Sequence, residues 1–206
     1  MLSLRPVVFA LLTALPLFFT SCNPISVDKE NKMVVSVRDQ RMLLVKDGRP
    51  VKAYPVSTSK FGLGSQAGSN RTPLGNHVVA KKIGGGAPKG AVFKSRRQTG
   101  RIMKPNTIGR DPIVTRILWL SGKDSHNRNT FRRCVYIHGT PAEHKIGRPA
   151  SYGCIRMKSS DIIDLYRRVD EGAVVKIIRG SLRTTPAGWT YYARNGGRDR
   201  ANATRW

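Results

Sequence analysis

Two short segments hold residue types able to make and break a covalent bond. Residues 133–139 read RCVYIHG and residues 151–157 read SYGCIRM. As a strand, the first puts Cys134, Tyr136 and His138 on one face and Val135 and Ile137 on the other. It ends at Gly139, where the backbone can bend, and a histidine at such a point is poorly placed as core filling. In the second, Cys154 follows Gly153 and precedes Ile155, Arg156 and Met157. A free thiol has a pKa near about 8.5, so only a few per cent is thiolate at neutral pH, and a nearby imidazole can take the proton. Amides around Gly153 and Cys154 could face a developing oxyanion, a contact worth about 3–4 kcal/mol per donor. The chemistry of such a pair is acyl transfer through a thioester.

Competing uses of these residues are weaker. A Cys134–Cys154 disulfide conflicts with a strand that carries Cys134 about 13–14 Å from His138, because Cys154 cannot reach both. A metal site from His138, Glu143, His144 and Cys154 lacks either zinc-protease helix spacing, and Pro141 argues against a helix there. His77 and His126 have no motif partners. Residues 62–67, GLGSQA, match a dinucleotide fingerprint as text but lead into SNRTP rather than a helix. Residues 84–90, GGGAPKG, lack the Lys-Ser/Thr ending of a phosphate loop. No metal and no cofactor is expected.

The elements that must position the pair are mostly strands. Residues 33–38, 42–46, 75–82, 113–120, 133–139 and 173–179 are β-branched or aliphatic, and Asp47-Gly48 is a hairpin signal before PVKAYPVS. One helix is expected from Ser160 to about Asp170, where Ile162, Leu165, Tyr166 and Val169 recur at helical spacing, with Ser159 or Ser160 as cap and Gly172 past the end. The fold class is mainly β. Residues 84–110 are Gly- and Lys/Arg-rich and read as a long surface insertion. Residues 181–206 form an Arg-rich tail that could pack on the domain, bind a polyanion or lack structure.

The chain of 206 residues suits one domain, and it carries 37 Lys and Arg against 12 Asp and Glu, a net charge of +25. Such a polycation is drawn to polyanions of any kind. Residues 1–22 have Arg5, an apolar run over 7–19 and a small-residue boundary before Cys22, the pattern of an export signal. Residues 23–32 read as a tether. No apolar run reaches membrane-spanning length. Export places nucleic acid on the wrong side of the membrane and moves anionic envelope polymers and lipid headgroups up.

The ending at Cys22 resembles the lipobox of bacterial lipoproteins, with Phe19 where Leu is usual. The resemblance implies lipidation at Cys22, and Asn23 after it favours the outer membrane. The segment HGTPAEHKIGRPASYGCIRM (138–157) resembles the catalytic signature of YkuD-type L,D-transpeptidases, a His-Gly pair, about fifteen residues, then Ser-x-Gly-Cys-x-Arg. Gln40, residues 44–48, YPVSTS (54–59), RTPLGNHVV (71–79) and the helix and strand after Cys154 extend the likeness over about 33 to 179.

This resemblance implies a β-sandwich-like YkuD domain over 33–180, with one helix after the nucleophile. Cys154 would be the nucleophile and His138 the base and then the acid. The Gly139 carbonyl would hold the imidazole tautomer, as the acid does in a serine triad. Gly153, Arg156, Tyr152 and Ser151 would form the oxyanion and substrate-binding set. The implied substrates are peptidoglycan stem peptides, cut before a terminal D-Ala. The acyl group would pass to a second stem as a 3→3 cross-link, to an envelope protein, or to water. Tyr152 stands where the family often has His, which bears on substrate preference. The implied location is periplasmic, anchored to the outer membrane. An L,D-carboxypeptidase of the same fold and a non-catalytic basic wall-binding module are the alternatives, and specific nucleic-acid binding is not expected.

Overall fold

A computed structural model describes residues 27–203, with side chains to residue 196. The leader over 1–22, including Cys22, lies outside the described residues. In chain order the strands begin with β1 (Asn31–Ser36), β2 (Arg41–Lys46), β3 (Arg49–Pro55) and β4 (Gly75–Ile83). There follow β5 (Ala91–Lys94), β6 (Arg97–Ile102) and β7 (Ile113–Gly122). Next come β8 (Tyr136–Gly139), β9 (Ile155–Met157), helix α1 (Ser159–Arg168), β10 (Val174–Ile178) and helix α2 (Pro186–Ala203).

All ten strands join one hydrogen-bonded sheet in the order β3-β2-β1-β10-β4-β7-β5-β6, with β8 added to β7 and β9 to β8. The hairpin between β2 and β3 turns at Asp47 and Gly48, with φ of 47° and 73°, the left-handed pair that a two-residue turn of this hand requires. Strand β10 lies parallel to β1 and antiparallel to β4, so the chain's last strand stitches its first hairpin to the site-bearing half.

One core lies between the two halves of this sheet. Met33, Val35, Met42, Leu44 and Tyr54 from the first half meet Leu118, Leu120, Ile137, Ile155 and Met157 from the second, and Ile162 and Leu165 of α1 close it. The expected sandwich is thus realised as a single sheet whose halves share one interior. At the start of α1 the cap position is Lys158, not Ser159 or Ser160. The first-turn amide of Ser159 instead donates to Glu143 Oε1 at 2.8 Å, a carboxylate placed where the helix N-terminus favours negative charge.

Two expectations change, and one left open is resolved. The segment over 84–110 is not all loop: it holds the β5–β6 hairpin, with Ala87, Ala91 and Phe93 buried against Ile117 and Tyr136. Among the described residues there are two α-helices rather than one. The tail packs on the domain, its Leu182 and Tyr192 buried on Val34, Leu43 and Val45 of the outer sheet face. Strand β1 begins at Asn31, two residues ahead of the expected start at Met33, with Asp28 just before it. Asp28 Oδ1 there accepts the Asn31 amide at 2.9 Å.

Candidate active site

Strands β8 and β9 run parallel, with Ile137 beside Ile155 and His138 beside Arg156. Alternation sends Ile137, Ile155 and Met157 into the core, so Tyr136, His138, Cys154 and Arg156 belong to the opposite face. On the other side of β8, Ile117 and Trp119 of β7 stand beside His138 and Tyr136, after a bulge between Val114 and Ile117. Within that bulge Thr115 holds φ at 74°, a strained conformation for a β-branched residue, and its hydroxyl donates to Ser159 Oγ at 2.9 Å. Bulges next to sites re-aim side chains, and this one sets the line of β8.

His138 is buried, and its Nδ1 lies 2.8 Å from the Gly139 carbonyl. Nδ1–H donates to that oxygen, which leaves the Nε2 lone pair free. Burial, helped by the Arg156 cation, drives the imidazole pKa down to about 4, against the raising pull of the Gly139 carbonyl and Asp111. The ring is therefore a neutral base at pH 7. Gly139 itself has no room for a side chain, since a Cβ there would come 2.6 Å from the Val114 carbonyl oxygen.

Cys154 is half-buried beside Tyr136 and Ile117, and burial pushes its thiol up to about 11. The Tyr136 amide and the cations of Arg133 and Arg156 pull the other way. Its Sγ–H donates to the Cys134 carbonyl at 3.5 Å, and no hydrogen bond joins it to His138. Cys134 departs from expectation. It sits in a turn with φ of 55°, stabilised by amide bonds such as Cys134 to Phe131 at 3.0 Å, and β8 starts only at Tyr136. The strand-based separation of the two cysteines therefore fails, although both thiols are free.

The loop before the nucleophile is braced from within and from outside. Ser151 Oγ donates to the Cys154 carbonyl at 2.5 Å and accepts the Gly153 amide at 3.2 Å. The Gly153 amide, expected at the oxyanion, is therefore engaged with Ser151. Gly153 holds φ at 112°, and a Cβ there would lie 3.3 Å from the Arg71 carbonyl oxygen. Thr72 Oγ1 donates to the Gly153 carbonyl at 3.1 Å, and Arg133 Nη2 donates to the Arg71 carbonyl at 2.7 Å. Tyr152 points away from this bracing and is 63% exposed.

Arg156 is only 4% exposed, and its Nη1 pairs with Asp111 Oδ2. Asp111 in turn accepts from the Thr140 hydroxyl. The Arg156 Nε and Nη2 groups are buried without a partner among the described residues. Those two nitrogens form one edge of the guanidinium, the side-on fork that matches a carboxylate. Asp111 and Thr72 join the site from outside the two chemistry-bearing segments, and Arg133 from the start of the first. Thr72 lies inside the Thr-Pro-x-Gly element. Asp111 carried a legible signal too, as the one acidic residue between Asp47 and Asp124. Glu143 and His144 are occupied elsewhere, Glu143 at α1 and His144 on Asn106 Oδ1 at 3.0 Å.

A neutral imidazole with a fixed tautomer, a neighbouring thiol and an unpaired guanidinium edge can transfer an acyl group from a carboxylate-bearing amide. Residues 30–177 match the model of the YkuD family, the L,D-transpeptidase catalytic domain. The chain is 26% identical over 148 residues to a Bacillus subtilis protein named L,D-transpeptidase YkuD, covering 71% of this chain and 65% of that one. It is 26% identical over 145 residues to the L,D-transpeptidase YqjB of the same organism, covering 70% and 69%. The match thus spans slightly less than two thirds of the YkuD protein's length. Among solved structures, L,D-transpeptidase 3 of Mycobacterium tuberculosis aligns at 17% identity, covering 73% of this chain and 61% of that one, with a TM-score of 0.48. The Enterococcus faecium L,D-transpeptidase C442S mutant aligns at 16% identity, covering 73% and 50%, with a TM-score of 0.47.

Proposed function

The chain belongs to the YkuD family of L,D-transpeptidase catalytic domains, and from that premise we propose that it transfers acyl groups of peptidoglycan stem peptides through a thioester on Cys154. The observation that carries this reading is the 2.8 Å bond from His138 Nδ1 to the Gly139 carbonyl, which presents Nε2 as a base one strand away from the nucleophile loop. With burial holding the thiol well above its usual range, thiolate is scarce at pH 7. The pair is therefore neutral at rest, and the proton moves when the donor arrives.

The first step swings Cys154 Sγ from the Cys134 carbonyl towards His138. Nε2 takes the thiol proton as sulfur attacks the stem carbonyl, and the Cys154 amide meets the oxyanion. Collapse breaks the amide bond, and the His138 imidazolium gives its proton to the departing D-Ala amine. An acceptor amine then loses a proton to His138, attacks the thioester and restores the thiol. Arg156 offers its free edge to a carboxylate of the stem, with Asp111 holding the guanidinium from the far side. The strong positive charge suits anionic envelope polymers, with export by the 1–22 leader and anchoring through a lipidated Cys22 as part of the same reading.

Incubation with purified disaccharide-tetrapeptide and mass analysis tests it. A dimer lacking one D-Ala marks 3→3 cross-linking, and a tripeptide marks transfer to water. Unchanged donor, with a protein acceptor also supplied, overturns the reading.

A further inference from the structure

Beside the nucleophile loop, two adjoining segments build a shelf that the thioester chemistry leaves unused. Tyr152 is 63% exposed and Phe61 44%, their ring centroids 5.3 Å apart with planes inclined at 56°. Lys60 Nζ stands 4.5 Å from the Tyr152 centroid and 5.2 Å from that of Phe61, and donates to Tyr152 Oη at 3.1 Å. Backbone bonds hold the shelf in shape: the Lys60 amide donates to the Ser151 carbonyl at 3.1 Å, and the Ser151 amide to Thr58 at 2.9 Å. The Phe61 amide donates to Ser59 Oγ at 3.0 Å.

Single exposed aromatics need no explanation, but two together on a rigid rim, with a hydroxyl at one edge and an ammonium over the rings, are a contact surface. Lys60 covers part of the two rings from one side, and the ring surface it leaves open is apolar, with the Tyr152 hydroxyl and the ammonium as its polar groups. A pyranose ring has the complementary plan, with C–H bonds on its faces and hydroxyl and acetamido groups around its edge. An anionic occupant would call for more than one ammonium, and this one lies over the rings. We propose that Lys60, Phe61 and Tyr152 form a subsite for an N-acetylated hexosamine of the glycan strand, so that the donor is held by its sugar as well as by its peptide.

The proposal rests on the stem-peptide reading above, and its reach is consistent with that reading. Tyr152 and Cys154 are two residues apart, at most about 7.6 Å between Cα atoms, and three stem residues between attacked carbonyl and sugar linkage span up to about 10 Å.

Saturation-transfer NMR with neutral N-acetylglucosamine oligomers tests the subsite directly, because an uncharged probe escapes the pull of a +25 chain. Transfer to the sugar is expected from the unaltered protein, and its loss in Phe61→Ala and Tyr152→Ala. No transfer, or transfer indifferent to both substitutions, overturns the subsite whatever the enzymology shows. In turnover, kcat/KM for disaccharide-tetrapeptide should exceed that for the free tetrapeptide, and Phe61→Ala should reduce the ratio about fivefold, chiefly through KM, the weight of one aromatic contact. Sugar binding with neither donor turned over sinks the reaction and keeps the subsite. Equal turnover of both donors sinks the subsite alone.

Discussion

The two faces of β8 and β9 are built from alternate residues of the same few positions, yet they obey different rules. The inward face, Ile137, Ile155 and Met157, is wholly apolar and finds all its partners in the core. The outward face, Tyr136, His138, Cys154 and Arg156, is nearly as buried but polar, with groups held short of full satisfaction: two guanidinium nitrogens without partners among the described residues, an imidazole kept neutral, a thiol kept protonated. One face is optimised for folding. The other stores unmet interactions that a bound substrate can meet.

The sharpest way to break the comparison is to remove the nucleophile. Cys154→Ala should lower turnover more than about 10³-fold while the melting temperature barely moves, measured by product mass analysis and thermal scans. A variant that still turns over donor at a tenth of the normal rate would put the chemistry elsewhere. On the inward face, Ile155→Ala should cost about 2–5 kcal/mol in denaturant unfolding, with kcat changed less than about threefold at a temperature where the variant is folded.

Arg156 joins the two behaviours. Arg156→Leu should lose about 1–2 kcal/mol, because Asp111, which water still reaches, loses its ion pair and stands beside an apolar group, and a second change, Asp111→Leu, should restore most of that. Donor turnover should remain low in the double variant. Recovery of activity along with stability would make the guanidinium merely structural.

The smallest effect is in pH. A base with a pKa near 4 stays unprotonated as acid is added, so kcat/KM should fall only about a tenth between pH 7 and 5. An acid limb centred near 6.5 would show an imidazole in contact with water. Stability carries the same sign: since the folded pKa lies below the unfolded one, this group's contribution is full above about 6.5 and is lost as pH falls towards 4.

Much of this was readable from residue types because local rules and tertiary structure agree. Asp47-Gly48 takes the left-handed turn it advertises, and Ile162 and Leu165 bury the stripe that their spacing draws. For the site, the order of His138, Gly139, Gly153 and Cys154 is legible, and the register that sets His138 beside Arg156, two residues past Cys154, comes from the sheet. The misses have physical causes. Strand β6, RQTGRI, is exposed along its whole length, so it shows no apolar alternation to read. Helix α2 follows a similar course, burying Tyr192 while Trp189 is 68% exposed. Cys134 looks like strand because its neighbours Val135 and Tyr136 are good strand formers, and nothing local announces a left-handed φ there. Asp111 meets Arg156 across 45 residues, a pairing no window of sequence contains.

The ladder between β8 and β9, rather than the chain joining them, sets how far the imidazole stands from the sulfur. The connecting segment is fastened at the Gly147 amide to the Val56 carbonyl, at the Arg148 carbonyl to the Ser57 hydroxyl and at the Ala150 amide to the Thr58 carbonyl, and its side chains surface at Arg148 and Pro149. Extra residues spliced in at that crest would bulge into solvent without sliding either strand. An affinity handle or fluorescent reporter placed between Arg148 and Ala150 should therefore leave the base and the nucleophile at their present separation.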